Sequence, residues 1–109
     1  MAQKILQVNF KSTMSRSECE EAWLPEAPQL AGFPGLRWKV WIFNEAESEA
    51  GGIYLFADDA SMRSFIGVLT TMLEAPEFSE ISIKTFDILE PLTLITRGPI
   101  QETVRTGIE

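Results

Sequence analysis

The stretch Gly35-Leu-Arg-Trp-Lys-Val-Trp-Ile-Phe43, the loop Asn44-Glu-Ala-Glu-Ser-Glu-Ala50, and the run Gly51-Gly-Ile-Tyr-Leu-Phe56 decide the fold. The two flanking runs are rich in β-branched and aromatic residues, as strands are, and the segment between them is polar enough for an exposed turn. A long β-hairpin is the expectation. Side chains alternate along a strand, so Leu36, Trp38, Val40 and Ile42 are expected on one face, with Arg37, Lys39, Trp41 and Phe43 on the other. In the second strand Ile53 and Leu55 oppose Tyr54 and Phe56. A sheet with one wet face would alternate more cleanly between apolar and polar residues. Both faces of this hairpin therefore need a cover.

Working outward, Leu6, Val8 and Phe10 alternate with Ile5, Gln7 and Asn9, which predicts a first strand over residues 4–10. Ser15 and Glu18 have capping-box spacing, so a helix is expected from Ser15, with Cys19, Ala22 and Trp23 on its inner face. Pro25 removes a backbone donor and Pro28 adds a second disturbance, which predicts a kink or restart. Gly32-Phe33-Pro34-Gly35 ends that element. Beyond the hairpin, Asp58 or Asp59 is a candidate cap for a second helix. Met62, Phe65, Ile66, Leu69, Met72 and Leu73 follow at helical spacing and make a wide apolar stripe. Ala75-Pro76 ends it. Ile81, Ile83 and Thr85 alternate with Ser82, Lys84 and Phe86 in a fourth strand over residues 81–89, which Glu90-Pro91 stops. Residues 97–109 read as a tail, ordered only if it docks.

The order β-α-β-β-α-β predicts an α+β fold of the ferredoxin-like type, a four-stranded antiparallel sheet with two helices on one face. The domain is expected to span residues 1–96, with residues 97–109 as the C-terminal tail. A second copy of the sheet is the expected cover for the other face, giving a homodimer of the kind called a dimeric α+β barrel.

Composition sets further bounds. The chain has 109 residues and suits one domain; its formal net charge of −7 argues against nucleic-acid and anionic-membrane partners. The single Cys19 permits no intrachain disulfide, the N-terminus lacks the apolar run of a signal peptide, and no run reaches transmembrane length, so a cytoplasmic protein is expected. There is no histidine, which removes His-based triads and His metal sites, and one cysteine removes Cys-rich zinc and iron–sulfur sites. Glu45, Glu47 and Glu49 near the hairpin tip read as a solvated acidic loop, and no metal is expected there.

Three pieces, Leu36-Arg-Trp-Lys-Val-Trp41, Glu49-Ala-Gly-Gly-Ile-Tyr-Leu-Phe56 and Lys84-Thr-Phe-Asp-Ile-Leu-Glu-Pro-Leu92, resemble the YdhR family of putative mono-oxygenases. The likeness covers roughly residues 31–95. It implies a ferredoxin-like dimeric barrel similar to oxygenases that work without metal or flavin on polyketide-type aromatic compounds. The implied partner is a small aromatic ligand or substrate, and the implied activity is a cofactor-independent mono-oxygenation. The same scaffold also suits a non-catalytic small-molecule-binding or stress-related dimer, or a cofactorless isomerase.

The family supplies no motif that fixes catalytic residues, so candidates come from physical chemistry. Trp38, Trp41, Tyr54, Phe56 and Phe86 are the aromatic set. Core and dimer packing accounts for most such residues, but Trp and Tyr carry polar handles suited to pocket walls. Arg37 and Lys39 share a face with Trp41; either they form a solvated edge or one cation holds a substrate phenolate. Trp38, Trp41, Arg37, Phe56 and Phe86 are the substrate-binding candidates. Tyr54 as a hydrogen-bond donor, Lys39 as a cation and Asp87 as a proton acceptor are the catalytic ones. Gly51-Gly52 is read as a bulge or a close backbone approach, with room for a ligand as the alternative.

Overall fold

The strands β1 (Lys4–Ser12), β2 (Leu36–Asn44), β3 (Glu49–Phe56) and β4 (Phe78–Asp87) form one antiparallel sheet in the order β2-β3-β1-β4. This is the expected ferredoxin-like α+β arrangement, seen in a computed structural model that describes residues 2–101. The helices are α1 (Arg16–Trp23), α2 (Ala27–Ala31), α3 (Asp59–Met72) and a short α4 (Glu90–Ile95).

Local chemistry explains the helix boundaries. Ser15 and Glu18 form a capping box: the Glu18 amide donates to Ser15 Oγ at 3.2 Å, and the Ser15 amide donates to Glu18 Oε1 at 2.8 Å. The prolines split the first helical region, so α1 ends at Trp23 and α2 restarts at Ala27 with Pro28 in its first turn, where a missing amide is harmless. Asp58 caps α3 by accepting from the Ser61 amide at 2.8 Å. Gly35 turns into β2 with φ at 88°, and a Cβ there would run into the Ser61 side chain.

The core lies between the sheet and the helices. Leu6, Val8 and Phe10 of β1, Tyr54 and Phe56 of β3, and Met62, Phe65, Leu69 and Leu73 of the α3 region are buried together. The expected apolar stripe is thus the buried one, except that Ile66 is only partly buried and Met72 is 50% exposed. Phe65 is the hub, with ring centroids 5.2 Å from Phe33, 5.0 Å from Tyr54 and 5.5 Å from Phe56.

Two sequence expectations change. Leu36 pairs with Phe56 while Trp38 pairs with Leu55, so Arg37 is an extra residue in a β-bulge. The bulge resets the alternation and turns Leu36 onto the helix side, where it packs against the core. The residues after β4 also form α4, where only the end of a strand was expected; Pro91 sits in its first turn.

The face away from α3 is partly covered. Leu55, on that face, is 1% exposed and lies outside the main core cluster. The Trp38 indole donates to the Pro99 carbonyl at 2.8 Å, and Gln3 Nε2 donates to the Ile100 carbonyl at 2.8 Å. Chain beyond α4 is therefore docked as far as Ile100, and the expected tail from residue 102 on lies outside the described residues. Val40 and Phe86, on the same face, stay 51% and 44% exposed. No helix among the described residues is long and apolar enough to cross a membrane.

Candidate functional site

Registry brings Lys39, Trp41 and Tyr54 together. Lys39 lies opposite Tyr54 and Trp41 lies opposite Gly52, so all three project from the helix-covered face. Gly52 leaves the space over which the Lys39 side chain folds. A Cβ at that position would stand 2.5 Å from Lys39 Cε and 3.1 Å from Tyr54 Cε1. Gly51 has a different reason: a Cβ there would run into the Val8 carbonyl of the adjacent strand.

The Lys39 ammonium lies against aromatic faces. Its Nζ is 3.2 Å from the Trp41 ring centroid and 4.6 Å from that of Tyr54. Trp23, at the end of α1, continues the wall with its ring centroid 6.0 Å from Trp41. Among the described residues the Lys39 ammonium makes no ion pair or hydrogen bond. Burial disfavours its charged form and lowers its pKa from 10.5 to about 7, while the Glu26 carboxylate at the start of α2 offsets part of that effect. Burial also pushes the Tyr54 phenol well above its ordinary value, so it stays protonated near neutrality. The result is an amine that exchanges a proton near neutral pH in a chain without histidine. It stands over the ring of Tyr54, whose hydroxyl has no hydrogen-bond partner among the described residues.

The other candidates lie elsewhere. Phe56 stacks with Tyr54 at 6.0 Å but is fully buried in the core. Trp38 pairs with Leu55, and Phe86 pairs with Ile5, so both belong to the opposite face. Asp87, at the end of β4, is ion-paired with Lys4, and its side chain is 80% exposed. Arg37 sits on the bulge and lines a surface cavity with Gln3, Asp58, Glu90, Leu94 and Ile100. A second cavity lies over Thr13, Met14, Glu18, Glu21 and Ala22, so neither of these clefts opens on Lys39.

Trp23, Glu26 and Gly52 are the parts of the cluster that the candidate set lacked. Trp23 was legible as an inner-face residue of α1. Its meeting with Trp41 depends on how the proline-split helices cross β2, which no local spacing reports.

Comparison with known proteins adds two findings. The sequence pattern of the family described as putative mono-oxygenase YdhR matches residues 5–99. A solved structure, the NE2512 protein of unknown function from Nitrosomonas europaea, has a TM-score of 0.61 and 19% identity, covering 82% of this chain and 91% of that one. At that identity the likeness speaks for the fold alone. No curated protein matches the chain.

Proposed function

The chain belongs to the YdhR putative mono-oxygenase family, and from that premise we propose that it is a cofactor-independent mono-oxygenase of a small phenol- or quinol-like compound, with Lys39 moving the phenolic proton. The observation that carries this reading is the Lys39 amine. It lies against Trp41 and Tyr54 without a carboxylate partner among the described residues, and its pKa is about 7. A neutral amine there accepts the phenolic proton, and the ammonium so formed holds the phenolate. One residue thus fills two roles that sequence reasoning divided between a cation and Asp87.

The chemistry then runs through the substrate. The phenolate passes one electron to O₂, and the phenoxyl and superoxide radicals join through a new C–O bond. The ring peroxide takes a proton from the Lys39 ammonium. Loss of the ring proton at that carbon and cleavage of the O–O bond give a quinone carbonyl and water. Phenol plus O₂ thus becomes quinone plus water, with no outside reductant. The protonated Tyr54 hydroxyl donates to the peroxide oxygen.

A homodimer through the exposed sheet face carrying Val40 and Phe86 belongs to the same proposal, because those apolar side chains remain open to solvent. The second reading is a non-catalytic binding protein on the same scaffold, favoured by the closed packing of the aromatic cluster.

The test is oxygen consumption with hydroquinones and naphthols of graded acidity between pH 5.5 and 9. The rate is expected to rise through a midpoint near 7 set by Lys39, whatever the phenol. Lys39→Arg keeps the charge, removes the base and abolishes turnover. A midpoint that follows the phenol's acidity removes Lys39 from proton transfer, and binding without oxygen uptake favours the second reading.

A further inference from the structure

The chain has four lysines, and they differ sharply in surroundings. Lys4 is ion-paired with Asp87, Lys11 is bonded to the Glu47 carbonyl and carboxylate, and Lys84 is exposed on β4. Lys39 alone among them is folded over a glycine between two ring faces, with no carboxylate in ion-pair reach among the described residues. That environment favours an amine with a free lone pair, and its flat aromatic walls suit a planar partner.

We propose that Lys39 captures carbonyl compounds, its Nζ condensing with a planar aromatic aldehyde seated against Trp41 and Tyr54 to form an imine. The nitrogen lone pair attacks the carbonyl carbon and forms the N–C bond. A proton moves from nitrogen to oxygen, giving a carbinolamine. The C–O bond then breaks, water leaves with that oxygen, and a C=N bond remains. No oxidant or reductant enters. The Tyr54 hydroxyl, protonated and without a partner among the described residues, donates to the carbonyl oxygen and then to the departing hydroxyl. Trp41, 38% exposed, is the side from which the aldehyde approaches. The proposal rests on the amine that the oxygenase reading uses, but it needs neither oxygen nor a phenol.

At pH 7 an amine with a pKa of about 7 is roughly half unprotonated, against about one part in a few thousand for an ordinary lysine. The experiment treats the folded chain anaerobically with benzaldehyde and sodium cyanoborohydride at pH 7, then locates the benzylated amines by peptide mass spectrometry. Lys39 is expected to be labelled at least about tenfold faster than Lys4, Lys11 or Lys84, with a rate that saturates in benzaldehyde. Mapping separates the N-terminal amine, which is also reactive near pH 8. Gly52→Ala, which displaces the Lys39 side chain, is expected to erase the preference while leaving the other sites unchanged. As a second check, wild-type chain unfolded in urea should show no preference for Lys39. Equal labelling of the four lysines in the folded chain, or a preference that survives unfolding, overturns the proposal. Labelling without oxygen uptake by phenols fails the oxygenase reading alone; phenol turnover without labelling fails this one alone.

Discussion

Replacing Lys39 by methionine should make the protein more stable, and by an amount that depends on pH. The folded chain lowers the amine's pKa from 10.5 to about 7. At about 1.4 kcal/mol per pH unit, folding with the proton retained costs on the order of 5 kcal/mol below pH 7. The sign follows from proton counting. Between about 7 and 10.5 the unfolded chain binds the proton and the folded chain does not, so wild-type stability rises with pH across that window and is flat below it. Methionine fills similar volume without titrating. It forfeits a cation–π contact worth about 1–2 kcal/mol, which trims its advantage at pH 7. The pH slope is the cleaner quantity: from pH 7 to 9 the wild type should gain on the order of 2 kcal/mol relative to Lys39→Met. Urea unfolding of both proteins at pH 6, 7, 8 and 9, at one fixed concentration, measures it. Curves that stay parallel within about 0.5 kcal/mol from pH 7 to 9 refute the buried amine of lowered proton affinity.

Phe65→Ala removes the hub of the ring cluster and should cost about 3–5 kcal/mol in the same unfolding assay. Trp41→Ala admits water to Lys39 and should move its titration midpoint upward toward 10.5, read from the lysine ε-carbon resonance. Trp38→Ala should leave that midpoint in place, release the Pro99 carbonyl and weaken the proposed sheet-face dimer, read by sedimentation. Ser15→Ala breaks the capping box and should cost about 1 kcal/mol of stability.

What was legible in the chain was what local physics controls. The α3 stripe, the Ser15 cap, the proline break and the alternation of β2 and β3 all follow from spacing and backbone chemistry. The bulge at Arg37 was hidden because an extra residue in a strand carries no composition of its own here; only the pairing partner Phe56 reveals that Leu36 has changed sides. For the site, alternation placed Lys39 with Trp41 and opposite Trp38. It gave no account of the amine's proton affinity, which depends on Trp23 and Glu26 arriving from the α1–α2 corner. Asp87 was a candidate base because a carboxylate can accept a phenolic proton, the more so where burial raises it. Its position at the end of β4 instead lets it reach Lys4 across the sheet.

Pro25 and Pro28 divide the cover above β2 into helices of eight and five residues, whereas α3 runs unbroken for fourteen. Short helices hold few internal hydrogen bonds, and each proline removes one more donor. Lifting the α1–α2 corner should therefore cost less free energy than freeing α3, and the two should behave as separate opening units. Reactivity at Lys39 then becomes a question of frequency. A dilute reagent senses how often the corner stands open; a concentrated one runs no faster than the corner opens. Amide exchange along residues 19–31 would report the same clock, and the two prolines set its rate.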